Sequence, residues 1–172
     1  MNKWKLVFLG TALLLVTTSS QAKRHNKNQV AADHGFGIGV ILGEPTGVSA
    51  KYWLGERSAL DFAFGLSVGG DRLNHDGDND FSRVHLHADY LYHFYDVIRT
   101  SSNRVPLYFG AGPRVNFAGG YGASFGVRGV AGIDCMFENV PIDIFAEVAP
   151  VFQVGYNVGL GLEGGIGVRY FF

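Results

Sequence analysis

The sequence predicts an all-β fold, an eight-stranded antiparallel up-and-down transmembrane β-barrel. From residue 35 onward, turn-forming residues divide the chain into eight stretches in which apolar side chains alternate with small or polar ones. Glycine accounts for 25 of the 172 residues, while charged residues make up only 17%, which is typical of many short strands joined by tight turns. After residue 22 no apolar run is long enough for a membrane helix, so any crossing of a membrane would be made by strands.

The first 22 residues predict a cleaved secretory signal peptide. Lys3 and Lys5 give a basic start, residues 6–16 are apolar but too few to span a bilayer, and Ala22 ends a stretch of small residues suited to signal peptidase. Loss of the two lysines changes the formal net charge from −1 to −3. The composition therefore gives no basic surface for nucleic acid.

The remaining chain predicts one domain. Residues 23–34 are polar and without periodicity, which predicts a flexible periplasmic lead-in. Residues 35–172 then form the barrel, with no soluble second domain expected.

The first four strands are separated by clear turn signals. Pro45, flanked by glycines, marks the first turn because proline cannot donate to a central ladder. The third strand has the cleanest alternation, and the longest polar loop, residues 71–80, follows it. These strands are predicted at residues 35–42, 48–54, 59–69 and 81–97.

The last four strands continue the pattern between turns rich in glycine, serine and asparagine. Pro113 falls on the apolar face of the fifth strand and predicts a bulge or a local edge there. An even strand number puts both ends on one side; with the ends periplasmic, loop 71–80 lies outside the cell. These strands are predicted at residues 105–118, 124–137, 141–154 and 158–172.

The final strand indicates which face of the barrel wall meets lipid and which faces the lumen. One face carries Val, Leu, Ile, Tyr and Phe side chains, and the other is glycine interrupted by Glu163 and Arg169. The glycine and charged face suits a narrow polar lumen inside a barrel whose outer surface meets lipid. A soluble barrel binding an apolar ligand would require the reverse arrangement, and the many inward glycines argue against it.

Two segments resemble known proteins. The chain ends with Tyr170 and Phe172 on one face, which resembles the terminal strand of bacterial outer-membrane β-barrels, whose closing aromatic is an assembly signal read by the barrel-assembly machinery. Residues 37–54, G-I-G-V-I-L-G-E-P-T-G-V-S-A-K-Y-W-L, resemble the opening hairpin of small OmpX-like and OmpA-like barrels. The resemblance implies the outer membrane of a Gram-negative cell envelope, contact with membrane lipid and lipopolysaccharide, and a structural or surface-interaction role without catalysis or cofactor.

Charged residues at inward positions predict an ion-pair network. In so narrow a lumen they must largely pair, because an unpaired buried charge costs about 3–5 kcal/mol. The favoured consequence is a lumen plugged by ion pairs, with a narrow ion channel as the alternative. The predicted network is Lys51, Asp61, Asp89, Arg114, Arg128, Asp134, Asp143, Glu147, Glu163 and Arg169.

Histidines on the fourth strand are the candidates for chemistry. His85, His87 and Asp89 share the inward face, with His93 further along. Same-face spacing suits a proton relay or a metal site, but neighbouring same-face residues lie about 7 Å apart, so no metal site is expected. The enzyme alternative, a lipid-modifying barrel, would use these histidines together with Asp89 or with a serine. The sequence places no serine next to His85 or His87, and it does not give the neighbours of the inward Ser49 and Ser67.

Two further sequence features do not predict a functional site. Residues 76–80, D-G-D-N-D, resemble the start of a calcium loop but lack its later glycine and acid. Cys135 is the lone cysteine and cannot form an internal disulfide.

Overall fold

The computed structural model describes residues 35–67, 83–95, 97–98, 103–118, 122–137, 140–154 and 158–172. The expected signal peptide, lead-in and loop 71–80 lie outside these ranges. The described part contains the strands β1 (Phe36–Glu44), β2 (Thr46–Trp53), β3 (Ser58–Ser67), β4 (Arg83–Phe94), β5 (Asn103–Arg104), β6 (Leu107–Ala118), β7 (Gly122–Phe137), β8 (Ile142–Val154) and β9 (Gly159–Phe171).

The strands form one closed antiparallel sheet. Apart from the short β5, each strand pairs with the next one along the chain, and β9 pairs back onto β1. The short β5 pairs with β7 in the same register as β6 and is separated from β6 by a segment containing Pro106, which has no N–H. Since β5 and β6 are two parts of one barrel strand, the described residues form an eight-stranded barrel, and the predicted fold class is confirmed.

Register shows how strongly the strands are staggered. We start at Arg169 on β9 and step from each residue to its paired residue on the next strand. One complete turn around the barrel ends at Gly159, which is also on β9. The strands are therefore staggered by ten residues, 169 minus 159. Closure with such a stagger requires strands tilted by roughly 35–45° from the barrel axis. The tilt brings side chains from distant strands to the same height inside the lumen.

Two prolines interrupt ladders without shifting them. Pairing between β4 and β6 is missing opposite Pro113, and pairing between β7 and β8 is missing opposite Pro150, yet the register is the same on both sides of each gap. A missing N–H explains each gap. The bulge or edge expected at Pro113 is therefore a one-bond interruption. The other clear difference is β4, which ends at Phe94 rather than near residue 97.

The two faces of the wall differ in polarity. Apolar side chains on the outer face stay exposed, as with Leu162 at 73%, whereas Lys51 on the inner face is fully buried. This inverts the usual soluble arrangement and suits a barrel surrounded by lipid. In the ranges that the structure describes, no helix is long and apolar enough to span a membrane.

The lumen has an apolar layer at one end. Trp53, Ala59, Met136 and Phe171 are buried against one another, with Tyr95 packed beside them. These residues lie where β1 begins and β9 ends, so we term them the terminal apolar layer. Beyond this layer, charged side chains share the lumen with buried apolar residues such as Leu91 and Ile41.

Candidate functional site

The structure places all ten predicted lumen charges inside the barrel. Nine of these residues are at most 8% exposed, and the side chain of Glu147 is 2% exposed. Each has at least one oppositely charged group within 4.0 Å. The inward positions follow from strand alternation, but several partners come from strands distant in the sequence, as with Lys51 and Asp134.

One group of charges lies next to the terminal apolar layer. Lys51 forms an ion pair with Asp134, and its Nζ lies 3.9 Å from Asp143 Oδ2. Arg169 pairs with Asp61, and its Nε lies 3.4 Å from Asp143 Oδ1. Two bases thus hold three carboxylates in one buried cluster.

Aromatic rings complete the surroundings of these two bases. The Lys51 ammonium lies 5.0 Å from the centroid of Trp53 and 5.2 Å from that of Tyr108. The Arg169 guanidinium lies 3.7 Å from the Phe145 centroid. Ring faces attract cations electrostatically, so these contacts offset part of the cost of burying the charges.

A second group of charges is centred on Arg128. Its guanidinium lies 2.8 Å from Glu147, 3.2 Å from Asp89 and 3.8 Å from Glu163. Arg114 supplies a second base to Glu163, with 2.9 Å between Nε and Oε1. Fork geometry allows one guanidinium to serve several carboxylates at once.

The predicted histidines belong to these same clusters. His85 Nε2 and His87 Nδ1 lie 2.8 Å apart, and Arg128 Nη1 contacts the His87 ring. Because a guanidinium only donates, it uses a ring nitrogen of His87 as acceptor. His93 Nε2 lies 3.1 Å from Asp134 Oδ2. The three imidazoles are therefore hydrogen-bonded parts of the ion-pair network.

Of the contacts that the enzyme alternative could use, His87 Nε2 lies 3.8 Å from Asp89 Oδ2, but a hydrogen bond from a histidine to Ser49 or Ser67 is missing from the described residues. Ser49 Oγ is buried without a hydrogen bond, and Ser67 Oγ donates to the Glu44 carboxylate. Neither serine is hydrogen-bonded to His85 or His87 there. Within the same ranges, no group of three or more His, Cys, Asp or Glu side chains is arranged to hold a metal ion.

Sequence reasoning left several polar side chains out of the network, and Tyr108 is the most deeply buried of them. Tyr108 is fully buried, and its hydroxyl donates to Glu147 Oε2 over 3.1 Å. Its inward position was readable from the alternation of the fifth predicted strand. An inward tyrosine in a lumen with six acids and four bases is the signal that would have identified it, since its hydroxyl can donate to a carboxylate.

The predicted assembly-signal residues lie on the outer wall. Tyr170 is 48% exposed and Phe172 is 75% exposed, and their ring centroids are 5.1 Å apart. The Phe172 N–H donates to the Phe36 carbonyl over 3.0 Å. The end of the chain is thus joined to the first strand of the barrel.

A comparison with solved structures gives the fold a known counterpart. The N-terminal β-barrel domain of OprF from Pseudomonas aeruginosa matches with a TM-score of 0.57, covering 81% of this chain and 98% of that chain. The fold is that of an outer-membrane β-barrel. Sequence identity to this barrel is 18%, so the likeness concerns the fold, and at that level the resemblance to OmpA-like barrels is confirmed. No family model and no curated protein matches the chain.

Proposed function

We propose that the protein is a closed barrel of the bacterial outer membrane, with a structural or surface-interaction role and no catalytic activity. Its ion-pair network would plug the lumen and leave no conducting path. The outer surface would contact membrane lipid and lipopolysaccharide, and Tyr170 and Phe172 would serve as the signal for the barrel-assembly machinery.

The observation that carries this proposal is a pair of contacts that cross the whole lumen. Lys51 on β2 pairs with Asp134 on β7, and these strands are four positions apart in either direction around the barrel. His85 on β4 and Glu163 on β9 are also on opposite walls, with 3.8 Å between Nδ1 and Oε1. Side chains that meet from opposite walls leave no room for a water column between them.

The terminal apolar layer supports the same conclusion. Trp53, Met136 and Phe171 are each at most 5% exposed at one end of the lumen. An ion following the polar network would have to pass this apolar layer, where it would lose its hydration without finding polar ligands. An eight-stranded barrel is just wide enough for its side chains to fill.

Refolding of residues 23–172 into liposomes tests the proposal. A membrane barrel should migrate differently on a detergent gel before and after boiling. In a planar bilayer the same protein should give no conductance steps, while an open porin inserted in the same way serves as the positive control. Reproducible steps from the protein would refute the plug, and solubility without detergent would refute the membrane placement.

A further inference from the structure

The ion-pair network of the lumen contains more acids than bases. Its ten residues are six acids and four bases, and the two clusters share the excess equally. The cluster around Lys51 and Arg169 contains three acids, and so does the cluster around Arg128 and Arg114, so three minus two leaves one acid over in each. A buried carboxyl without a compensating base normally takes up a proton and becomes neutral.

Hydrogen bonding identifies the acid that is left over in each cluster. Both side-chain oxygens of Asp89 and both of Asp143 are buried without a hydrogen bond from any described residue, and the two residues are 1% and 0% exposed. By contrast, Asp61, Asp134 and Glu147 each accept a hydrogen bond from a lysine or an arginine. An ionised carboxylate can accept about four hydrogen bonds, so a site that offers it none favours the neutral form.

The surroundings of Asp89 contain one nearby base and several acids. Arg128 Nε lies 3.2 Å from Asp89 Oδ2, but neither atom is hydrogen-bonded, and Arg128 donates to Glu147 instead. Asp61 is the register partner of Asp89 across β3 and β4, and like charges directly opposite each other destabilise a sheet. The charged or titratable groups that face Asp89 directly or through Arg128 are Asp61 on β3, His87 on β4, Arg128 on β7, Glu147 on β8 and Glu163 on β9.

Asp143 lies between two bases that each have another acid closer. Lys51 Nζ is 3.9 Å from Asp143 Oδ2 and hydrogen-bonded to Asp134, while Arg169 Nε is 3.4 Å from Asp143 Oδ1 and the same guanidinium is hydrogen-bonded to Asp61. When acids share too few bases, one of them is driven to the neutral form. The charged or titratable groups that face Asp143 directly or through these neighbours are Lys51 on β2, Asp61 on β3, His93 on β4, Asp134 on β7 and Arg169 on β9.

We propose that the closed lumen binds two protons, one on the carboxyl of Asp89 and one on the carboxyl of Asp143. Each proton converts a carboxylate into a neutral carboxyl and leaves two ionised acids against two bases in its cluster. In alkaline medium both protons leave, and the lumen then holds two negative charges without compensation. The plug of the proposed function is thereby linked to pH, and the inference rests on that function's closed lumen.

NMR of the protein refolded in detergent micelles, with carbon-13 in the aspartate carboxyls, tests the two proton sites directly. At about pH 5.5, where a free aspartate carboxyl is ionised, Asp89 and Asp143 should give the chemical shift of a neutral carboxyl. Asp61 and Asp134 should give that of a carboxylate. Ionisation of either Asp89 or Asp143 at that pH would overturn the proposal.

Asparagine variants test the same sites through stability, because asparagine has the shape of a neutral aspartic acid. At about pH 5.5, Asp89→Asn and Asp143→Asn should unfold in urea at nearly the same concentration as the unchanged protein. The matched controls are Asp61→Asn and Asp134→Asn, which leave a base without its hydrogen-bonded carboxylate and should unfold at clearly lower urea. Equal losses in the two pairs of variants would contradict neutral carboxyls at Asp89 and Asp143.

The pH dependence of unfolding gives the sign and the number of protons. A proton bound by the folded and not by the unfolded chain changes the unfolding constant tenfold per pH unit, and stability falls as pH rises. Relative to the double variant Asp89→Asn with Asp143→Asn, the unchanged protein should therefore lose stability by up to about a hundredfold per pH unit for two protons. Comparison with this variant cancels the histidines, which both proteins contain. A ratio of unfolding constants that does not change with pH would overturn the proposal.

Planar-bilayer recordings separate this inference from the proposed function. Ionised Asp89 and Asp143 at about pH 5.5, together with a protein that gives no conductance steps, would refute the proton sites and leave the plug standing. Conductance steps at that pH would refute the plug itself. Neutral carboxyls in a protein without conductance are the result expected when both hold.

Discussion

At the scale of single residues, Arg128 is, like Arg169, an arginine of the described lumen that lies within 4.0 Å of three carboxylates. It is fully buried and lies within 4 Å of three carboxylates, those of Asp89, Glu147 and Glu163. Removing one member of a buried ion-pair cluster lowers the folding stability by far more than the complete cluster adds to it, because the remaining charges are left without a partner. Stability should therefore depend strongly on this one guanidinium.

Arg128→Met should lower the free energy of unfolding by about 3–5 kcal/mol. A second change, Glu147→Gln, should recover part of that loss in the double variant, because one uncompensated charge is removed with it. Urea titration in liposomes, followed by the fluorescence of Trp53, measures all three proteins. Equal stability of Arg128→Met and the unchanged protein would contradict the central position of Arg128.

The sequence predicts residue positions better than residue partners. Alternation alone gives the inward side of every charge in the network, since successive strand residues point to opposite faces. It cannot give the pairing of Lys51 with Asp134, 83 positions apart, or of Arg169 with Asp61, 108 positions apart. These partners depend on the stagger of the closed sheet, which no single strand encodes.

At the scale of strands, glycine has two different roles on neighbouring segments. A Cβ on Gly39 of β1 would overlap the Val168 carbonyl oxygen of β9, whereas a Cβ on Gly161 would meet nothing within 4 Å. Gly39 thus allows the first and last strands to approach closely. Gly161 lies before the residues of β9 that pair with β1 and is free of that constraint.

Gly39→Ala should destabilise the barrel by about 1–3 kcal/mol, the usual cost of overpacking. Gly161→Ala is the matched control and should unfold within about 0.5 kcal/mol of the unchanged protein. The two are compared by urea unfolding under the same conditions. Similar losses in both variants would show that glycine content, rather than the approach of β1 and β9, sets the effect.

The sequence predicted where the strands lie, but it predicted less well how the hydrogen-bonded pairing between strands continues past a proline. The expected strand boundaries lie close to the observed ones because turn residues such as Pro45 mark them chemically. Pro113 was expected to distort its strand, yet the register continues past it. A proline removes one donor, and the neighbouring pairs on either side are sufficient to hold the strands in place.

At the scale of the whole molecule, the cost in folding stability of a charge on the outer wall should depend on how deep in the membrane that charge lies. Ile166 lies on the outer face of β9 and is 61% exposed, and Val158, the residue immediately before β9, is 71% exposed. With the strand tilted, Ile166 lies roughly 15 Å from the Phe172 end and Val158 roughly 35 Å, against an apolar band about 25 Å tall. Ile166 would then lie in the bilayer interior and Val158 outside it.

Ile166→Arg should therefore cost roughly 2–4 kcal/mol of folding stability in liposomes, and Val158→Arg about 0–1 kcal/mol. The fraction that shows the folded gel mobility before boiling measures the difference. A similar loss for both variants would contradict the depth assignment of the outer wall. A larger loss for Val158→Arg would reverse it.

The ion pairs that cross the lumen also bear on how the chain reaches its folded state. Lys51, Asp61 and Asp89 on β2 to β4 find their main partners on β7 and β9. A nascent chain that had formed only its first four strands would lack the main partners of these charges and could set only Lys51 against Asp61, its register partner on β3, so partly assembled sheets are less stable until the later strands arrive. Assembly should accordingly be close to all-or-none, and the long sequence separation of the partners should make it slow.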